Sequence, residues 1–511
     1  MEMNQDKNIR TRVAPSPTGY PHIGTIYQAL FDKTYALKNN GKFIMRIEDT
    51  DQERFVKGAE DALYKALEWF GLNPDESPSN PGAYGPYRQS ERLSIYREFA
   101  DKLVHKGFAY YCFCSKSRLE EVRNSLQKEG KPPMYDKHCR HITKEESEKR
   151  INNGEAYVIR MKIPENTKII VNDLIRGEIE FDSNLIDDQV ILKADGFPTY
   201  HLAVIVDDFL MKITHVIRGP EWLTSFPKHK LLADYLEIEA PIYIHTPMIC
   251  NPDGSKLSKR QGHSSVDWYR FRGYLPEAVL NFISLLGWSH PDEKEIFDYE
   301  EFVKVFDIAD ISAVSPKMDL VKLEWMNGQY IQKLNDIEFI QKLSDWLGYC
   351  INNEYKGANV YESEWNQEYY SLFLNFINSL DSEKKKVFFN IVKERIKKFE
   401  DIRELCEFFI KDINYDEILL CKYKSHDEVI GHIKWFVSNL ESIDWNLESL
   451  KKLEIDVGDR ANELGWKLGE VFYPLRVAIT GKTISPPLFE SIYILGKEKV
   501  LSKLKGLASI N

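Results

Sequence analysis

The sequence predicts an α/β domain with a parallel sheet, split by an α+β insertion and followed by an all-α C-terminal half. Three observations carry this expectation. A strand, a Pro/Gly turn, a helix and a second strand follow one another between residues 9 and 47. The strand pattern returns between about 198 and 255, after an interval of different character. Beyond Lys256 the apolar spacing is helical and no long strand pattern recurs.

Ile9–Ala14 reads as the first strand. The helix after the turn carries Ile26, Ala29, Leu30 and Leu37 on one face and stops at Asn39-Asn40-Gly41. Lys42–Ile47 is the second strand, which completes a βαβ unit. A helix starting near Glu53 or after Lys57-Gly58 carries Ala62, Leu63, Ala66, Leu67 and Phe70, and ends at Gly71. Residues 74–86, rich in Pro, Ser, Asn and Gly, read as a loop. Gln89–Lys106 reads as a helix with Leu93, Tyr96, Phe99 and Leu103 inward.

From Tyr110 to about Phe197, charge-rich helical pieces alternate with short strands such as Ala156–Lys162 and Val190–Lys193, the mark of an insertion. Tyr200–Val206, His215–Arg218 and Ile242–His245 then read as strands, and Lys228–Leu236 as a helix. Later helical spacing covers Pro276–Leu286, Tyr299–Phe306, Ile337–Leu347, Tyr369–Leu380 and Lys384–Lys398. The expected division is 1–109 and 198–255 for the two halves of the α/β fold, 110–197 for the insertion, 256–330 for a loop and helical connecting domain, and 331–511 for the all-helical remainder in two subdomains.

The composition is that of a soluble globular chain: 511 residues, 43% hydrophobic and 29% charged. No apolar run reaches the roughly 20 residues that span a bilayer, and the N-terminus carries no apolar signal core. A cytoplasmic location without membrane attachment is the expectation. A net charge of −11 argues against nonspecific nucleic-acid binding but leaves room for a local site. Lys384, Lys385, Lys386, Lys393, Arg395, Lys397 and Lys398 cluster; a solvated helix face and an RNA-facing patch both fit.

Two stretches carry the chemistry. In the first, from Arg12 to Gly24, Pro15, Pro17 and Pro21 stiffen the turn, while Gly19 and Gly24 let backbone approach a ligand. The turn ends at a helix N-terminus, which favours phosphate, and His22 stands where it could donate to a phosphate oxygen. Neither G-x-G-x-x-G nor G-x-x-x-x-G-K-[ST] occurs there. The second stretch, Lys256-Leu-Ser-Lys-Arg260, sets two lysines around a serine between Pro252-Asp-Gly254 and Gly262. Cations on a closing loop can stabilise a departing pyrophosphate. Each stretch alone also fits a bland reading: a His-capped helix entry, and an exposed basic turn.

In this order and separation the pair resembles the two signatures of class I aminoacyl-tRNA synthetases. Arg12-Val-Ala-Pro-Ser-Pro-Thr-Gly, Arg46-Ile-Glu-Asp-Thr-Asp51, Gly85-Pro-Tyr-Arg-Gln-Ser-Glu-Arg92, Thr199-Tyr-His-Leu-Ala203, Trp325-Met-Asn-Gly-Gln-Tyr-Ile331 and Pro474-Leu-Arg-Val-Ala-Ile-Thr-Gly481 narrow it to bacterial-type glutamyl-tRNA synthetase. The resemblance runs from about Arg10 to the end. Glutaminyl-tRNA synthetases usually carry a β-barrel anticodon domain and lack the Pro-Tyr-Arg-Gln-Ser-Glu-Arg stretch.

The resemblance implies a Rossmann-like catalytic domain, an acceptor-end insertion and a helical anticodon-binding region. It implies a monomer whose substrates are glutamate, ATP with Mg²⁺, and tRNA(Glu). His22, Lys256 and Lys259 would be the catalytic residues. Pro15, Ser16, Thr18, Gly19, His22, Gly24, Lys256, Ser258 and Lys259 would bind ATP. Arg12, Ala14, Ser16, Glu48, Tyr200 and Arg218 would bind glutamate, with the arginines on its carboxylates and Glu48 on its ammonium. Two positions depart from the pattern: Val204 stands where many members carry Asn, and Pro220 where the residue is often acidic or small. Both bear on the discrimination of glutamate from glutamine.

Seven cysteines, an odd number, suit reduced or metal-bound thiols better than a disulfide framework. Cys112-Phe-Cys114 and Cys139-Arg-His141 form two C-x-[CH] pairs that could hold a tetrahedral zinc; buried free thiols with an exposed histidine fit as well. Some glutamyl-tRNA synthetases carry a structural zinc in this insertion with matching spacing, and others lack all its ligands. All four ligands are present here, which implies structural Zn²⁺.

Overall fold

A computed structural model describes residues 8–257, 262–353, 367–411 and 417–508. These fall into two compact units. One gathers the described residues up to 257 with 264–266 and 280–319; the other gathers 262–263, 267–279 and 320 onward.

The first unit opens with β1 (Arg10–Val13), α1 (Ile23–Lys38) and β2 (Lys42–Met45). β1 and β2 are parallel, in register from Arg10↔Lys42 to Val13↔Met45. α1 is the crossover, and Ile26, Ala29, Leu30 and Phe31 are its buried face. Leu37, expected on that face, is exposed in the last turn, where Gly41 N–H already turns back to the Ala36 carbonyl. A short 3-10 turn at Gln52–Arg54 precedes α2 (Ala59–Trp69), so of the two expected starts the helix takes the one after Lys57-Gly58. The loop at 74–86 is pinned to the sheet: Met45 N–H donates to the Glu76 carbonyl, and the Glu76 carboxylate receives both terminal nitrogens of Arg10 at 2.8 and 2.7 Å. A 3-10 turn at Gln89–Arg92 leads into α3 (Leu93–His105), which buries Tyr96, Ala100 and Leu103.

The stretch expected to form the insertion holds β3 (Ala109–Cys112), α4 (Lys116–Lys128), α5 (Lys144–Asn152), β4 (Val158–Met161), β5 (Lys168–Asp173), β6 (Gly177–Asp182) and β7 (Val190–Leu192). β3, β4 and β7 form an antiparallel sheet in that order. The hairpin β5–β6 does not join it. β5 instead pairs with the sheet of the second half, through Asp173↔Tyr243.

The second half consists of α6 (Tyr200–Leu210), β8 (His215–Arg218), α7 (Phe226–Leu236) and β9 (Ile242–His245). β8 and β9 are parallel, and Thr214 N–H donates to the Arg10 carbonyl, which sets β8 beside β1. The expected strand at Tyr200–Val206 is overturned: those residues begin α6. Leu202 to Asp208 are buried without interruption. A helix buried all round shows no amphipathic period, and Val204, Ile205 and Val206 then mimic a buried strand.

The second unit is helical. Its described helices include Leu320–Lys333, Asp336–Asn352, Gln367–Ser379, Ser382–Lys393, His426–Ser442, Leu447–Leu464, Leu468–Thr480, Leu488–Leu495 and Lys497–Ala508. Asn335 with Glu338, and Ser425 with Glu428, form capping boxes at two of these starts. Among the described residues no strand follows His245. One core runs through the unit, with Phe339, Phe373, Phe388, Phe436, Leu475 and Phe489 at its centre. Asn327 ties its segments together: its side-chain oxygen accepts from Leu275 N–H at 2.8 Å, and its amide donates to the Lys397 carbonyl at 2.5 Å. The helix expected to reach Lys398 ends at Lys393. Part of the basic cluster is engaged internally: Lys398 pairs with Glu324 and Asp401, Arg395 bonds the Ile391 carbonyl, and Lys393 the Leu334 carbonyl.

Candidate active site

The turn between β1 and α1 is braced by carbonyls of residues that have no N–H to offer. Pro15 O accepts from Glu48 N–H at 3.0 Å, and Pro17 O from Val56 N–H at 2.9 Å. His22 is the N-cap of α1. Its Nδ1 accepts from Gly24 N–H at 3.0 Å, which places the ring proton on Nε2. A Cβ on Gly24 would stand 3.1 Å from that nitrogen, a tight contact that the imidazole would have to yield to by a few tenths of an ångström. The chain beyond the lysine-rich loop returns to this point. Ile23 N–H donates to Ser264 O at 2.8 Å, and Val266 N–H to Pro21 O at 3.2 Å.

A cavity of about 1020 Å³ opens beside the turn. Arg12, Ala14, Ser16, Glu48, Tyr200 and Arg218, the six residues expected at the amino acid, all line it, together with Gln28, Thr199, Trp222 and others. Tyr200 stacks on Trp222 with ring centroids 4.0 Å apart, and burial pushes its phenol up to about 12, so it is a neutral donor.

Beneath the cavity lies a network of buried charges. Arg46 donates to Asp208 Oδ1 at 2.7 Å and to Glu48 Oε1 at 3.0 Å. Arg12 Nε donates to the same Asp208 oxygen at 3.2 Å. Asp207 accepts from Arg92 at 2.7 Å, Gln89 at 2.9 Å and Tyr96 at 2.7 Å. Burial opposes the charge of Asp208, but Arg12 and Arg46 outweigh it and hold the carboxyl below its usual range. Burial raises Glu48, with Arg46 pulling the other way. Asp32, fully buried near Arg12, is pushed well up by burial, with Arg12 pulling the other way.

Arg218 is held differently. Its Nε donates to His245 Nε2 at 2.9 Å, and a terminal nitrogen to His229 Nδ1 at 3.0 Å. His245 Nδ1 in turn contacts Asp173 at 2.7 Å, and His229 Nε2 contacts His201 at 3.2 Å.

Of the residues expected at ATP, Ser16 lines the cavity, while Pro15, Thr18, Gly19, His22 and Gly24 belong to the turn and the start of α1. Lys256 is exposed and forms an isolated bridge with Cys250. Ser258 and Lys259 lie outside the described residues. Val204 is buried in the core and Pro220 opens a 3-10 turn; neither is among the residues that line the cavity.

In the insertion, the Cys112, Cys114 and Cys139 sulfurs all lie within 4.8 Å of one another. The expected fourth member, His141, is outside that group and exposed. Arg140 between them is anchored inward, to Asp188 at 3.0 Å and the Ile163 carbonyl at 2.9 Å, and His141 follows it at the surface. Tyr135 stands at the thiols instead. Its hydroxyl is 3.3 Å from Cys112 Sγ and 3.4 Å from Cys114 Sγ, and accepts from Cys139 N–H at 2.9 Å. A hydrogen bond from Cys139 lowers the Cys112 thiol, against the effect of burial. Three soft sulfurs beside a phenolic oxygen are a donor set that fits Zn²⁺.

Sequence reasoning missed Arg46, Arg92, Asp207, Asp208, His229 and His245. Arg46 had a signal: with Glu48 it alternates on one face of an extended segment. So did Asp207-Asp208, two acids inside an apolar run that only buried cations could accommodate. The histidines had none.

Comparison with known proteins agrees with this architecture. Residues 8–325 match the family described as tRNA synthetases class I (E and Q), catalytic domain, and residues 338–508 match an anticodon binding domain. A glutamate–tRNA ligase of Gloeobacter violaceus is 42% identical over 98% of this chain and 95% of its own. One from Fusobacterium nucleatum is 41% identical over 98% and 97%. The crystal structure of a glutamate tRNA ligase from Elizabethkingia meningosepticum, in complex with its amino acid, superposes with a TM-score of 0.83 at 33% identity, covering 99% of this chain and all of that one. The chain therefore belongs to the bacterial-type glutamyl-tRNA synthetases of class I.

Proposed function

We propose that the cavity beside β1 receives glutamate and that the chain is a glutamate–tRNA ligase acting on tRNA(Glu). Charge complementarity carries this reading. Glutamate brings two carboxylates and one ammonium; the cavity presents Arg12 and Arg218 against Glu48. Tyr200 and Ser16 supply neutral polar contacts.

In the first step an oxygen of the substrate α-carboxylate attacks the α-phosphorus of ATP. The bond to the bridging oxygen breaks, and pyrophosphate leaves with that electron pair. In the second the 2′-hydroxyl of the terminal adenosine of tRNA attacks the glutamyl carbonyl, loses its proton, and displaces AMP. The protein positions reactants and stabilises charge, without a covalent nucleophile. His22 Nε2–H and the N-terminus of α1 would hold ATP phosphates, with Pro15, Ser16, Thr18, Gly19 and Gly24 shaping the approach. Lys256, Ser258 and Lys259 would meet the leaving pyrophosphate. Mg²⁺ accompanies the nucleotide.

A structural zinc would be held by Cys112, Cys114 and Cys139 with Tyr135, in place of His141, as fourth ligand. It would brace the insertion of 110–197, which handles the acceptor end, while 331–511 reads the anticodon. The protein acts as a cytoplasmic monomer.

ATP–pyrophosphate exchange tests the assignment. Exchange is expected with glutamate, in the presence of tRNA, and little with glutamine. Absence of exchange under every condition refutes the enzyme reading, and equal exchange with glutamine refutes the amino-acid assignment.

A further inference from the structure

Arg12 and Arg46 are paired with carboxylates, but Arg218 is not. Its two bonded nitrogens meet imidazoles, His245 at 2.9 Å and His229 at 3.0 Å, and the second also donates to the neutral Tyr200 hydroxyl at 3.5 Å. An arginine can only donate, so both rings must present a lone pair to it. Asp173, 2.7 Å from His245 Nδ1, fixes the proton of that ring on the far side. His229 accepts at Nδ1 and so carries its proton on Nε2, facing His201 Nδ1 at 3.2 Å. The rings are neutral: burial first, then the charge of Arg218, holds His229 far below its usual value, and burial brings His245 down to about 4. The remaining terminal nitrogen of Arg218 is buried, has no hydrogen-bond partner among the described residues, and belongs to a side chain that lines the cavity. A carboxylate in place of either imidazole would bond the same N–H groups, but it would also neutralise the guanidinium.

We propose that His229 and His245 are positioning residues for substrate selection, holding Arg218 through neutral acceptors so that its full positive charge is kept for a carboxylate of the amino acid. Rings of this kind fix the fork without competing for it, and they disfavour the uncharged amide of glutamine. This inference rests on the assignment of the cavity to glutamate.

His229→Asp and His229→Asn differ in charge and hardly in size, so they separate the two roles. Exchange would be measured with tRNA present, varying glutamate, glutamine and ATP separately. The Asp variant is expected to raise the KM for glutamate at least about tenfold more than the Asn variant, and alone to lower the glutamate-to-glutamine ratio of kcat/KM. The KM for ATP should move alike in both. Equal losses in the two variants would leave His229 a merely structural residue and overturn the proposal. Arg218→Gln reports on the underlying assignment: if it keeps wild-type preference for glutamate, the cavity is not the glutamate site, whatever the histidines do. Should the Asp variant fail to fold in a thermal melt, the unaltered protein decides. Nitrogen NMR of histidine-labelled enzyme at neutral pH should show His245 protonated on Nδ1 and His229 on Nε2. An imidazolium or the opposite tautomer at either position would overturn the proposal.

Discussion

One oxygen of Asp208 accepts from two buried arginines, Arg46 at 2.7 Å and Arg12 at 3.2 Å. The carboxylate thereby aims Arg12 at the cavity and compensates a guanidinium that is fully buried. Asp208→Asn keeps the shape and removes the charge. Leaving buried charge without its partner costs about 3–5 kcal/mol, so chemical denaturation should show a clear loss in the first unit. The KM for glutamate should rise in the folded fraction, because Arg12 then meets a neutral amide oxygen in place of the charged carboxylate that sets its angle. A variant as stable as the parent would contradict the role of Asp208.

Glu48 faces the ammonium in the proposed site and is held by Arg46 at 3.0 Å. Glu48→Gln removes one charge-assisted bond to substrate, worth about 1.5–3 kcal/mol, or roughly tenfold to a hundredfold in KM for glutamate. The KM for ATP should stay near its starting value. Exchange kinetics with each substrate varied in turn would check the split.

The buried imidazoles predict acid sensitivity. Burial lowers His201 to about 3, and His215 and His245 to about 4, against 6.5 unfolded. Between those values the unfolded chain binds more protons than the folded one, so stability falls as pH drops. The stabilisation is complete above about pH 6.5 and is lost from there down toward pH 4, by at most about 1.4 kcal/mol per pH unit for each ring. Melting temperatures across pH 4–7 would test this; a flat profile over that window would show that the rings are not buried neutral.

The thiol cluster makes a prediction that separates two neighbouring residues. Tyr135→Phe should weaken zinc retention against a chelator more than His141→Ala does, because the Tyr135 hydroxyl touches the thiols and His141 lies outside the group. Cys139→Ser should abolish stoichiometric zinc. Metal content by elemental analysis is the readout. Loss of zinc in His141→Ala alone would restore the histidine as ligand.

Asn327 satisfies one backbone N–H and one carbonyl across the helical unit. Asn327→Leu leaves the buried Leu275 N–H unpaired, at about 1–3 kcal/mol, and releases the part-buried Lys397 carbonyl, so it should lower the unfolding midpoint of that unit. Trp325, two residues earlier and 41% exposed, should tolerate substitution far better. Comparable losses at both positions would place the weight of this segment elsewhere.

What the sequence determined by itself was local. Pro15, Gly24 and Asn39-Asn40-Gly41 mark a turn, a helix entry and a helix end through their own backbone preferences, and the βαβ unit follows from them. The six residues expected at the amino acid were legible from motifs and meet around one cavity. Helical periodicity marked the second unit for the same reason: one-sided burial leaves a repeat in the chain. Tertiary structure decided what has no such repeat. The helix Tyr200–Leu210 reads as a strand because burial without interruption from Leu202 to Asp208 erases the period that would announce it. Tyr135 rather than His141 reaches the thiols because Arg140 is anchored inward. Asp173, Arg218, His229 and His245 sit on four separate elements. Whether a buried charge is neutralised or kept free depends on which groups approach within about 3 Å, a distance that no spacing along the chain prescribes.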